Sequence, residues 1–487
     1  MQPSTNAQTR TLADLRNSAG YTQAEVAQHV NQFANANGHR GAGVSANTVS
    51  RWERGESIPT PLYTRALAAF YNVTVEEIRV TLASATTARP ARRDARPRHY
   101  LDQDTEPAVD DPRVVASQDE WRRVRRDLNT HREALTHLAA STYPATAQFG
   151  DTGLIAGPGW VPDAPIPLAA IQLHHDASAQ PLVDGSEPAS AHVRPLAGLA
   201  RPYHRYTAAI RDLDAPRLFD NRYTWRLAGL DWSQPRMDFG DTTYFATMDI
   251  CEALAHEMAY VHLGDQGELT GRRANLRDLP LRRLVGDPFD LTRRAAIPAI
   301  STLTIRGGDD PTFLLHRRDS KHVAIAGGML HVIPSGVFQP SSVEPACATA
   351  DFDLFRNLMR EYSEELLGMP EANGDGCAID YAAGPFAEMT AARDAGKLRV
   401  DLLGVALDAL TLAAEVMTVC VIDPEVFDVW AADFVSANDE GTIVNQRLAF
   451  DEATITEVLN SGRIAPAAAG CLTLAWKHRD HILGGSA

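Results

Sequence analysis

Cysteine is scarce and scattered. Five thiols occur in 487 residues (Cys251, Cys347, Cys377, Cys420 and Cys471), with no Cys-x-x-Cys pair. That gives neither a zinc frame nor a disulfide framework, and a reduced cytoplasm is the expected home. No apolar stretch reaches the roughly 18 residues that a spanning helix needs, and the start does not read as a signal peptide. Membrane insertion and export are therefore not expected. Net positive charge is missing as well. A formal charge of −16 argues against a protein that coats nucleic acid indiscriminately. Length is not in short supply, with room for roughly two to four domains and ample core.

Against these absences stands one dense run, Ser45-Ala46-Asn47-Thr48-Val49-Ser50-Arg51-Trp52-Glu53-Arg54-Gly55. Ser45 can cap a helix that buries Val49 and Trp52 and turns Ala46, Asn47, Ser50 and Arg51 outward, with Gly55 as a left-handed stop. Upstream, Thr22 can cap a helix whose Val26 and Val30 lie one turn apart. Small polar residues plus arginine on one face of a short helix suit a DNA major groove. The backbone approaches closely, while Asn and Arg donate to base edges or phosphates.

Residues 11–80 resemble the phage-repressor-type (XRE-type) helix-turn-helix domain. The matching residues are Leu15-Arg16, Gly20-Tyr21-Thr22-Gln23, Val49 to Gly55, and closing helices around Leu67–Phe70 and Val75–Ile78. The resemblance implies that Gln23 starts the positioning helix. It gives Gln23, Ser45, Asn47, Thr48, Ser50, Arg51 and Arg54 to a double-stranded operator, and makes Glu53 an internal partner of Arg16. One departure stands out. Gly43-Val44-Ser45 arrives only after an Asn/Gly/Ala-rich insert, Asn31–Ala42, which can touch DNA or loop outward.

Residues 81–112 read as a linker, basic from Ala88 to Arg98 and then acidic from Asp102 to Pro112. Its arginines can track phosphates or simply remain solvated. A helix is predicted over 118–139, with Trp121, Val124, Leu128, His131, Leu135 and Leu138 forming a heptad seam. Packing on the following domain and a homodimer contact both suit that seam. The middle region, 113–290, is mixed α/β in pattern, with a helix at Thr243–Leu263. It resembles parts of large regulators of actinobacterial type. His256-Glu257 with His262 is not a zinc-protease signature, because six residues carry the second histidine off the first one's face.

The last third carries a second constellation, Arg360-Glu361-Tyr362-Ser363-Glu364-Glu365 on a helix predicted over 360–368. The three glutamates stand at i, i+3 and i+4 on one face. Hard oxygen ligands so placed suit Mg²⁺, which in turn clamps a diphosphate. Strand-like runs lie upstream (Ile300–Arg306, Thr312–Arg318, Val323–Val332) and downstream (Leu402–Leu407, Glu415–Ile422, Thr442–Phe450). A closing helix follows at Pro466–Trp476. That order over 296–484 resembles a Nudix domain. The resemblance implies metal ligation by Glu361, Glu364 and Glu365, with Glu415 or Glu440 as an added carboxylate. The departures point away from hydrolysis. Ser335-Gly336 replaces the family's Gly-Gly, Ser342 stands where the family has Glu, and the spacing to Arg360 is about ten residues longer.

The expected fold is multidomain: an all-α helix-turn-helix head (1–80), a linker (81–112), a mixed α/β middle region (113–290) and an α/β Nudix-like domain (296–484). Its expected function is DNA-binding transcription regulation, with the Nudix-like domain sensing a phosphorylated small molecule. Two other classes stay open, a Mg²⁺-dependent hydrolase of nucleoside diphosphate derivatives with a DNA-binding head, and a scaffold indifferent to ligand and metal.

Overall fold

A computed structural model of the chain describes residues 11–19, 21–36, 44–53, 59, 61–71, 73–75, 77–78 and 111–484, save 179, 217–218, 319–328, 343–344, 370–378, 436–440 and 444–446. The chain divides into two compact units, residues 1–100 and 101–487, called head and body below. No described helix is long and apolar enough to cross a membrane.

The head holds helices α1 (Leu12–Ala19), α2 (Gln23–Ala36), α3 (Ala46–Glu53) and α4 (Pro61–Tyr71). Eight-residue helices such as α1 and α3 are too short to persist alone in water, so packing must hold them. It does so through Leu12, Val26, Val30, Val49, Trp52, Leu67 and Ile78, which form one cluster. Each such side chain contributes about 1.5–3 kcal/mol on full burial.

The body opens on α5 (Pro112–Thr130), with Asp111 accepting from the Arg113 amide and Pro112 in the first turn. The single helix predicted over 118–139 is in fact two. His131, at φ −110° and ψ 17°, parts α5 from α6 (Arg132–Ala140). The heptad seam is spent inside the body. Trp121, Val124, Leu128 and Leu135 are buried in its main core, and the Trp121 indole donates to the Val193 carbonyl at 3.2 Å. This corrects the homodimer reading of the seam, since residues packed under other elements offer nothing to a second copy.

A small sheet follows, with β1 (Gln172–His175) parallel to β3 (Arg236–Thr243) and β2 (Tyr223–Asp231) antiparallel to it; α7 (Tyr206–Leu213) lies between β1 and β2 in sequence. Next comes α8 (Tyr244–His262), started by Thr243, whose hydroxyl accepts from the Ala246 amide. This helix is buried nearly all round, and three of its charged or polar side chains are paired as burial requires. Glu252, with no exposed surface, takes Arg132 at 3.0 Å and Arg125 at 3.4 Å. His256 meets the Tyr206 hydroxyl at 3.0 Å and stacks on Trp121. Glu257 accepts the Leu281 and Arg282 amides at the start of α9 (Pro280–Val285).

The large sheet has eight strands. Its centre is β4 (Pro298–Arg306), β6 (Leu398–Asp408) and β7 (Ala414–Ile422), with β7 parallel to β4 and antiparallel to β6. Short β5 (Ser335–Val337) pairs with β4. Side chains alternate along a strand, so β7 feeds two cores. Val416, Cys420 and Ile422 pack in the cluster of α10 (Leu354–Glu365), and Met417 and Val419 in that of α14 (Pro466–Lys477). Gly470 of α14 is required by closeness, because an added Cβ would lie 2.5 Å from the Met417 sulfur.

Middle region and sheet share the first of these cores, which runs from Trp121 to Phe427. Two buried arginines join them as well. Arg282 donates to the Tyr143 hydroxyl at 2.9 Å and to the carbonyls of Ala409 and Leu410. Arg294 donates to Pro288 and Leu412 carbonyls at 2.7 and 2.8 Å.

Candidate nucleic-acid interface

Local chemistry fixes where α2 and α3 begin. Thr22 and Glu25 form a reciprocal capping box. The Thr22 amide donates to the Glu25 carboxylate at 2.7 Å, and the Glu25 amide to the Thr22 hydroxyl at 3.2 Å. The Thr22 amide and then the Thr22 hydroxyl, both donating to it, hold the Glu25 carboxyl below its ordinary range. At α3 the Ser45 hydroxyl accepts from the Thr48 amide at 3.2 Å and pairs with the Thr48 hydroxyl at 3.1 Å.

The angle between the two helices is then locked by Glu53. Arg16 reaches it through Nε at 2.6 Å and a terminal nitrogen at 3.2 Å, and the Gln23 side-chain amide donates to it at 2.8 Å. The hydrogen bond to Glu53 raises the Arg16 pKa, against the cost of burial. Glu53 is thus the internal partner that the sequence suggested. Gln23, assigned to DNA, also gives its amide nitrogen to the same carboxylate. Such a bidentate, part-buried hub is stronger than an exposed ion pair.

Of the other residues assigned to DNA, Ser45 and Thr48 serve the cap of α3, and Ser50 is half-buried on that helix. Arg51 is half-exposed on α3 and makes no hydrogen bond or ion pair with the described residues. Asn47 lies in α3, with its side chain outside the described residues, and Arg54 lies outside them altogether. Sequence reasoning missed Asn31. Its side chain holds the Val44 backbone by two hydrogen bonds and so closes the base of the insert. An Asn at the near end of a polar insert was the available signal.

The acidic helix begins earlier and ends earlier than predicted. α10 ends at Glu365, and Gly368, at φ +63°, takes the left-handed position beyond it. Arg360 is buried and donates to the Gln339 carbonyl at 2.6 Å and to Asn357 at 2.9 Å. Glu365 is buried and accepts the Ser335 amide at 3.0 Å. Glu361 lies against Gly336, where any added Cβ would strike its carboxylate, while Glu364 is half-exposed. Glu415, on β7, takes the Ser301 hydroxyl at 3.3 Å, and Glu440 lies outside the described residues. Among the described residues no three His, Cys, Asp or Glu side chains are placed to hold a metal ion.

Residues 9–80 match the family model of a helix-turn-helix domain. No curated protein matches the chain. The N-terminal part is a helix-turn-helix domain of the DNA-binding kind, joined to a larger mixed α/β part.

Proposed function

We propose that the chain is a sequence-specific transcriptional regulator of the cytoplasm, whose head reads a double-stranded operator through α3. The observation that carries this reading is Arg51. Among the described residues it is an uncommitted guanidinium on a short helix, and that helix is fixed to α2 by the Arg16–Glu53–Gln23 hub. A rigid mount with a free donor is what base or phosphate contact needs. Charge is divided in the same sense. Residues 1–100 carry 12 arginines against 7 acidic residues, a net +5, and residues 101–487 a net −21. Duplex affinity therefore resides chiefly in the head.

The body's part in this reading is to sense a phosphorylated small molecule and bias the head. What supports it is the order of strands and helices around Arg360-Glu361-Tyr362-Ser363-Glu364-Glu365, which resembles a Nudix domain, with a sheet covered by α10 on one face and α14 on the other. The test is selection of duplexes from a random library by the full chain, followed by anisotropy titration. Arg51→Ala is expected to weaken the selected duplex by about tenfold or more, in line with roughly 1–3 kcal/mol for a base-reading contact. Enrichment of no sequence would end the proposal.

A further inference from the structure

Residues 272–283 of the body run against its charge. That stretch holds five arginines and one acidic residue, inside a unit with 34 basic and 55 acidic side chains. Elsewhere in the body an arginine typically meets a carboxylate or a carbonyl. Arg122 takes Asp119, Arg205 takes Asp184, Arg306 takes Asp428, and buried Arg282 and Arg294 take main-chain oxygens. Arg273, Arg277 and Arg283 do not, as exposed Arg126, Arg317 and Arg463 elsewhere do not, but the first three lie within eleven positions of one another. All three are exposed and have no hydrogen bond or ion pair among the described residues.

Neighbouring acids form no ion pair with them among the described residues. Asp278 is taken by Arg272 at 2.6 Å, Asp287 by the Phe289 amide and Asp290 by Thr292. The backbone beneath is fixed. Asn275 accepts the Arg277 amide at the start of a 3₁₀ turn, Leu276–Asp278, and α9 is capped by buried Glu257. Three uncompensated guanidiniums are thus held on an ordered surface.

We propose that Arg273, Arg277 and Arg283 form a second, sequence-independent contact with the phosphates of duplex flanking the operator. This inference rests on the DNA-binding reading of the head. Head and body are one chain, so a bound head keeps the body at high local concentration beside the flanks. An acidic body needs one basic face to lie beside DNA at all, and arginine is the fitting residue for phosphate. The interaction adds affinity and salt dependence without adding sequence preference.

The test uses the full chain and a library-selected duplex, either cut to its protected core or extended on both sides by unrelated sequence. Wild type is expected to bind the extended duplex several-fold more tightly and with a steeper salt slope. In the triple variant Arg273→Gln/Arg277→Gln/Arg283→Gln that extra slope should fall by about 2–3, at roughly 0.9 for each phosphate no longer neutralised. Binding to the core duplex and the melting temperature should both stay as in wild type. Equal binding of both lengths by wild type, or a variant indistinguishable from it, overturns the flanking interaction while leaving the head's role intact. A variant weakened equally on both lengths also overturns it. Failure of wild type on both duplexes removes the head's role and this interaction together, whereas Arg51→Ala should weaken both lengths alike, by about tenfold or more.

Discussion

Asn31 grips Val44 from both sides of the backbone, its Nδ2 donating to the carbonyl at 2.7 Å and its Oδ1 accepting the amide at 2.8 Å. The pair spans thirteen positions and joins α2 to the residue just before the cap of α3. Whatever the insert does, the recognition helix starts from a fixed point.

Asn31→Ala is therefore expected to lower head stability by about 1–3 kcal/mol, the cost of part-buried main-chain groups left without partners. Duplex affinity should fall with it. Asn31→Asp keeps the acceptor and loses the donor, so its loss should be intermediate. Urea titration of the head's signal measures both, and a neutral Asn31→Ala would refute the clamp.

Glu252 is the most exacting charge in the body. It is fully buried between Arg125 and Arg132, whose charges, against the penalty of burial, hold its carboxyl below the ordinary range. Glu252→Gln leaves two buried guanidiniums short of a counter-charge and should cost about 3–5 kcal/mol. Chemical denaturation at pH 7 reads this. A change under about 1 kcal/mol would show that the network is solvated.

His256 sets a pH dependence. Burial, then the nearby Arg125 charge, push its pKa down from 6.5 to about 3. Between those values the unfolded chain binds a proton that the folded chain refuses. Its contribution is whole above pH 6.5 and is lost as pH falls towards 3, at about 1.4 kcal/mol per pH unit. Stability curves for wild type and His256→Phe at pH 7 and 5 should differ in slope by about one proton. Parallel curves would mean that His256 titrates normally.

Glu365 and Glu364 should separate structure from chemistry. Glu365→Ala strands the Ser335 amide and should destabilise the body by about 1–3 kcal/mol. Glu364→Gln, at a half-exposed position, should stay within about 0.5 kcal/mol. With Mg²⁺ and a panel of ADP-ribose, NAD and nucleotide sugars, no turnover is expected. Turnover abolished by Glu364→Gln would instead make the chain a hydrolase with a DNA-binding head.

The head was legible because its signals are local. Thr22 and Ser45 cap helices that their own next residues continue, and Val26, Val30, Val49 and Trp52 repeat at helical spacing into a core. The strands from Pro298 to Arg306 and from Ala414 to Ile422 announced themselves by runs rich in β-branched residues, as buried strands do. What stayed hidden depends on partners far away in sequence. A heptad seam looks the same whether a second copy or α8 covers it. Nothing near His131 marks the break between α5 and α6. Glu365 reads as a ligand until the Ser335 amide, thirty residues upstream, is seen beneath it.

Arg282 belongs in sequence to the middle region and Arg294 to the stretch just after it, yet both donate to carbonyls at the turn between β6 and β7. Neither stretch can supply what the other needs alone. A protease cut or gene truncation near residue 290 would not free two self-sufficient halves. It would leave Arg282 bare on one side and a frayed hairpin on the other. The middle region and the large sheet are accordingly expected to fold and to fail together.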